Sequence, residues 1–146
     1  MELIEGKLPT DILIVEAPPR HGKSELISKW LPAWYLGRFP NRHVLLASYE
    51  AHFAATWGCK ARAVMREHGP LWWDVDVGTD RHAARDWVTK RGSSTGSAPS
   101  PDTLLPGTSA PLADAGGMAT AGVGGPLTGR GAHLLVIDDY TKNAEH

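Results

Sequence analysis

Apolar residues fall along this chain in two patterns. Short continuous runs stand at Ile12-Leu13-Ile14-Val15, Val44-Leu45-Leu46-Ala47 and Leu134-Leu135-Val136-Ile137. Runs of this length and residue type predict strands buried on both faces of a parallel sheet. After the first run, Leu26, Ile27, Trp30, Leu31 and Trp34 recur at helical spacing, with Gly37 as the predicted stop. Pro32 is expected to kink or shorten that helix, because it removes a backbone donor. After the second run, Phe53, Trp57, Ala61, Val64 and Met65 mark one face of another helix. Its end signals are Ser48 as N-cap, Glu50 in the first turn, Arg66 and His68 in the last, and Gly69-Pro70 as the stop. Strand, helix, strand, helix in this order predicts an α/β fold with a mainly parallel sheet flanked by helices.

The rest of the chain is less regular. Residues 71–91 hold Trp72, Trp73 and Trp87 as expected anchors, but no period persists long enough to assign elements. Residues 92–116 are low in complexity, with no aromatic residue and few charges. Such a stretch gains too little by burial to offset its ordering entropy, so a mobile insertion is expected there. A strand is predicted over 118–123, followed by a glycine-rich loop at 124–131 and the strand at 134–137. No internal repeat is present.

Composition narrows the function classes. The chain has 146 residues, about one domain, with 42% hydrophobic and 21% charged residues, as in a globular protein. Its 15 basic and 16 acidic residues give a net charge of −1. That excludes the strongly basic footprint of a dedicated nucleic-acid coat. Cys59 is the single cysteine, which excludes an internal disulfide and fits a reducing, cytosolic setting. No apolar run approaches the roughly 18 residues that suggest a membrane span, and the acidic start Met1-Glu2-Leu3-Ile4-Glu5 lacks a signal peptide's basic region.

The candidate chemistry begins at Ala17-Pro18-Pro19-Arg20-His21-Gly22-Lys23-Ser24. A phosphate loop is Gly, four residues, then Gly-Lys-Ser/Thr, between a strand and a helix. Here the ending, the spacing and both predicted flanking elements match, while Ala17 replaces the first glycine. Gly22 lets the backbone approach phosphate oxygens, and amides at the helix start offer an anion site. Lys23 would reach the β- and γ-phosphates of ATP and Ser24 would ligate Mg²⁺. Pro19, Arg20 and His21 complete the nucleotide-facing loop. The competing explanation is a chance Gly-Lys-Ser in a strand-to-helix turn.

Leu134 to Ile137 ends on Asp138-Asp139. Acids at the carboxyl end of a parallel strand sit where α/β sheets bind ligands. Asp138 would hold the Mg²⁺ shared with Ser24, and Asp139 would polarise the attacking water. Neighbouring carboxylates on an extended chain point to opposite sides, so they can take different tasks. The alternative is a surface turn that begins with two acids. Arg20 either stabilises charge developing on the γ-phosphate or pairs with a surface acid. The sequence names no partner for His21, which suits a structural role. Arg130 is either a phosphate or DNA contact or a solvated residue. Asp74 to Asp80 lacks the glycine placement and closing Glu of a calcium loop, and the seven histidines and Cys59 show no zinc spacing. Core packing accounts for the six tryptophans better than base stacking does.

Three blocks carry a resemblance: Ala-Pro-Pro-Arg-His-Gly-Lys-Ser-Glu (17–25), Leu-Ala-Ser-Tyr (46–49), and the stretch from Ala121 through Gly124-Gly125-Pro126-Leu127-Thr128-Gly129-Arg130-Gly131 to Asp139, with Lys142-Asn143 beyond. Together they resemble the large terminase subunit of tailed bacteriophages and prophages, over nearly the whole chain except roughly 92–116. The resemblance implies a P-loop NTPase domain of the RecA-like, additional-strand kind, which powers packaging of double-stranded DNA into the procapsid. It implies Lys23, Asp139 and Arg20 as catalytic residues, Pro19 to Ser24 as the ATP-binding loop, and Ser24 with Asp138 on Mg²⁺. It also implies the portal protein and small terminase subunit as partners, a ring oligomer, and the cytoplasm of a bacterial host. The family's nuclease domain is expected to be absent, so 1–146 reads as a partial ATPase domain whose sheet keeps an uncovered edge after residue 139. Two other readings remain open: a prophage remnant that binds nucleotide without turnover, and another phosphate-loop enzyme such as a helicase-like ATPase or a small-molecule kinase.

Overall fold

A computed structural model of the chain describes residues 12–18, 20–83, 86–91, 115–122 and 131–139; the side chains of 79–83 lie outside that description. At its centre is β1 (His43–Ser48), paired in parallel with β4 (Gly117–Gly122) on one side and with β5 (Leu134–Ile137) on the other. Two more strands, β2 (Val75–Ala83) and β3 (Asp86–Arg91), form an antiparallel hairpin, and β3 joins it antiparallel to β4. Among the described residues the sheet therefore has five strands, in the order β2-β3-β4-β1-β5. It is a mixed sheet rather than the mainly parallel one expected. The hairpin occupies part of 71–91, where Val75 and Val77, then Trp87 and Thr89, alternate into the interior. Its turn carries no Asn-Gly or Asp-Gly to announce it.

The helices begin with a π-helical stretch (Glu25–Trp30) that passes directly into α1 (Leu31–Arg38). The wide register is seen where the Leu31 amide donates to the Leu26 carbonyl, five residues back. Pro32, at the start of α1, donates no bond and its ring crowds the carbonyl four residues earlier. The widened turn before it takes the place of the expected kink. The second helix, α2 (Ala51–Trp72), is capped by Glu50, without a side-chain cap bond, while Ser48 closes β1. It also runs through Gly69-Pro70, the predicted stop, and ends where the Trp73 amide donates to Gly69. Pro70 stands in the last turn, where only the bond its own nitrogen would have donated is lost.

Alternation along the strands decides which face is covered. Val44, Leu46, Met118 and Val136 pack with Tyr35, Leu36, Trp57, Ala61 and Met65 from the two helices, and Trp87 closes the cluster. The opposite parity on β5 is left open, with Leu135 54% and Ile137 56% exposed. Tryptophans divide similarly. Trp57 and Trp87 are buried, whereas Trp72 is exposed and stacks on His68 at 4.4 Å.

One predicted strand does not form. Ile12 to Val15 run as irregular chain outside the sheet, and Ile12, Leu13 and Ile14 are strongly exposed. A cavity of about 170 Å³, lined by Leu13 and Val15 on one side and by β5 on the other, separates this segment from the sheet. The apolar run is what burial in a sheet requires, but among the described residues no strand pairs with it, and β5 faces it only across the cavity. Of the segment expected to be an insertion, residues 92–114 lie outside the described chain, as do 123–130 with Arg130. Gly116 is buried: its amide donates to Pro40, and a side chain there would strike the backbone of Arg42. No helix among the described residues is long and apolar enough to cross a membrane.

Because β1 is bonded on both edges and Leu46 is fully buried, Leu46→Ala should cost about 2–5 kcal/mol. Denaturant unfolding checks this, and an unmoved midpoint would show that the core lies elsewhere.

Candidate phosphate and magnesium site

The site is built where the helix start meets the carboxyl end of β5. Upstream of the helix, Arg20 and Gly22 take the left-handed backbone region, with φ of 65° and 77°. A Cβ on Gly22 would meet nothing within 4 Å, so it is the φ value, not crowding, that calls for glycine. Arg20 holds a similar φ with a full side chain, at a cost on the order of 1 kcal/mol. The helix is entered at Lys23 and Ser24, and the Leu26 amide donates to the Gly22 carbonyl at 3.0 Å. The first amides of any helix lack an intrahelical acceptor, which makes this loop a place for an anion.

From the sheet side, the β1–β5 ladder runs on beyond Ile137. The Asp138 amide donates to Ala47 at 3.0 Å, and the Tyr49 amide donates to the Asp139 carbonyl at 2.9 Å. These bonds fix both acids at the strand end. Their side chains differ in setting: that of Asp138 is 3% exposed and that of Asp139 is 60% exposed. They do not diverge as an extended chain would send them. Asp139 has φ of 47°, off the extended path, and both carboxylates face one lysine.

That lysine is Lys23. Its Nζ lies 3.4 Å from Asp138 Oδ1 and 3.5 Å from Asp139 Oδ1. Partial burial works against its charge, but the two carboxylates outweigh that, so Lys23 titrates above its ordinary value of 10.5. The second oxygen of Asp138 has its own partner: the buried Ser28 hydroxyl donates to Oδ2 at 2.7 Å. Ser28 had no signal in the sequence beyond its place in a helix with an apolar face. Its position one turn past Ser24 is the feature that could have drawn notice. Glu25 accepts from Lys29 at 2.9 Å and pairs with Lys60 of α2 at 3.6 Å. The Lys29 hydrogen bond holds the Glu25 carboxyl below its usual range, with the Lys29 and Lys60 charges adding to it.

The structure thus brings together Lys23, Asp138 and Asp139, and Ser24 follows Lys23 at the helix entrance. Arg20 and His21 are exposed in the loop, and Arg20 makes no ion pair with a described residue. Pro19 lies outside the described residues. The donors at hand, two carboxylates and the Ser24 hydroxyl, are all oxygen, which suits a hard cation such as Mg²⁺. That ion needs only one or two protein carboxylates when a phosphate completes its shell. Among the described residues no group of three or more His, Cys, Asp or Glu is placed to hold a metal ion alone. Asp74 to Asp80 enter β2 rather than a calcium loop, and Cys59 is an exposed free thiol.

A larger cavity, about 610 Å³, opens between His43, Trp87 and His133. It lies at the amino ends of β1 and β5, whereas ligands of α/β sheets bind beyond the carboxyl ends. The smaller cavity of about 170 Å³ borders Lys23 and Asp138. Chemistry, not size, therefore marks the site. Comparison with known proteins finds no matching family, no matching characterised relative and no matching solved structure.

The raised value of Lys23 has a signed consequence. Its pairing contributes stability that is complete below pH 10.5 and is lost as pH rises through the raised value. Lys23→Met should therefore flatten the alkaline end of the melting-temperature profile. An identical slope in both proteins would show that the pairing contributes nothing.

Proposed function

We propose that this chain binds Mg-ATP through a phosphate loop at 17–24, as the ATPase part of a large terminase subunit. In this reading its α/β core is a P-loop NTPase of the RecA-like, additional-strand kind. The observation that carries the reading is the meeting of Lys23 with Asp138 and Asp139, two segments joined only through the fold. A turn that held Gly-Lys-Ser by chance would have no reason to face paired acids at a strand end. The resemblance in 17–25, 46–49 and 121–139 supplies the rest: double-stranded DNA, the portal protein and the small subunit as partners, a ring oligomer, and a bacterial cytoplasm as the setting.

The residues divide the work by position. Lys23 is held by carboxylates until a more charged phosphate draws it away. Gly22 keeps the loop backbone close to the phosphates. Asp139, the exposed acid, can take a proton from an attacking water, and exposed Arg20 can swing toward charge developing on the γ-phosphate. Ser24 and Asp138 would hold Mg²⁺, which when bound neutralises charge on the phosphate oxygens.

A second reading, nucleotide binding without turnover, is favoured by one observation. Ile12 to Val15, the segment that delivers the loop, is outside the sheet and exposed. A loop anchored on one side only holds its donors less firmly than catalysis requires.

Lys23→Ala is expected to weaken Mg-ATP binding at least about tenfold, the worth of a charge-assisted contact of roughly 1.5–3 kcal/mol. Calorimetry reads this directly, and unchanged affinity would sink the phosphate-loop assignment. Asp139→Asn should keep ATP binding while lowering hydrolysis about a hundredfold or more. A wild-type chain that binds Mg-ATP but releases no phosphate would favour the second reading.

A further inference from the structure

Ser28 is fully buried, lies on the helix that carries Lys23, and gives its hydroxyl proton to the acid at the end of β5, 110 residues away. We propose that Ser28 is a positioning residue, which holds the Asp138 carboxylate in one orientation so that Oδ1 alone is presented to a cation. The inference rests on the Mg-ATP reading and adds a group to it that neither the loop motif nor the acid pair contains.

The geometry assigns one task to each oxygen. Oδ2 accepts from Ser28 at 2.7 Å, a length typical of a hydroxyl donating to an ionised carboxylate. Oδ1 faces Lys23 at 3.4 Å. With the side chain of Asp138 only 3% exposed, loss of Ser28 would leave Oδ2 without its protein partner. The carboxylate would then rotate about its own bond or turn both oxygens toward Lys23, and its hold on a cation would weaken. A serine within a helix commonly returns its proton to a carbonyl of the preceding turn. Here the proton is directed across to the sheet instead, from within the π-helical stretch. Groups that orient a metal ligand in this manner change metal affinity about 10- to 100-fold when deleted.

The test compares ATP affinity with and without Mg²⁺ in the wild-type chain, Ser28→Ala and Ser28→Thr. Ser28→Ala should bind metal-free ATP as the wild type does and lose about tenfold of the Mg²⁺-dependent increase, while Ser28→Thr, which keeps the donor, restores most of it. A purely structural role predicts a lower melting temperature with the Mg²⁺-dependent increase intact, and that result overturns the proposal. If Ser28→Ala does not fold, Ser28→Cys replaces it, since its thiol has a similar shape and donates weakly. A full Mg²⁺-dependent increase in that variant is equally fatal. In the wild-type chain the Ser28 hydroxyl proton should exchange slowly enough to be seen by NMR, and fast exchange would contradict the hydrogen bond. A wild-type chain that binds no Mg-ATP overturns the nucleotide reading itself, an outcome distinct from failure of Ser28 alone.

Discussion

The register between β1 and β5 is the constraint on which the site depends. Val44 opposes Leu134 and Ala47 opposes Ile137, and the same ladder continues through the Asp138 and Asp139 backbone. A slip of one residue would exchange the two faces of β5. Val136 would leave the core, Leu135 would enter it, and Asp138 would be turned away from Ser28 and Lys23. Hydrophobic burial on one face of a four-residue strand thus sets the aim of a carboxylate beyond its end.

Electrostatics then follows from placement. A carboxylate almost removed from water is costly unless it is paired and hydrogen-bonded. Asp138 meets both conditions within one helix, through Lys23 at its entrance and Ser28 one turn deeper. Asp139 sits in water and needs neither, so its attraction to Lys23 is screened and weak. The lysine is therefore held mainly by the buried acid, while the exposed one stays in contact with water. Glu25 links the same helix to α2 through Lys60, across a half-exposed pair that is screened in the same way.

Much of this was legible in the residues. The runs at 44–47 and 134–137 are strands, and Lys23 does lie against Asp138 and Asp139. Periodicity could find them because each pattern is set by local burial. What stayed hidden depends on neighbours remote in sequence. Ile12 to Val15 have the composition of a buried strand, yet pairing is decided by what lies beside a segment, and here nothing paired does. Pro70 reads as a helix stop, but in a last turn it removes too little to end α2 early. The hairpin at β2 and β3 was masked by charges on its outer face and by a turn lacking glycine. Ser28 could not be singled out, because a buried hydroxyl is recognised only once its acceptor is known.

The π-helical stretch between Glu25 and Trp30 also sets a phase relation. Below it, Tyr35 and Leu36 fix the rotation of α1 against the core; above it, Lys23 faces the strand end. In an α-helix each residue advances the rotation by about 100°, so the wide turn absorbs an extra residue between the two ends. Loss of a single residue from 25–30 would therefore narrow this turn toward ordinary helical winding and leave its two ends in phase. The same loss within α1, which has no wide turn to absorb it, would rotate everything before it by about 100° against the core, so the lysine would face the acids or the core would keep its packing, but not both.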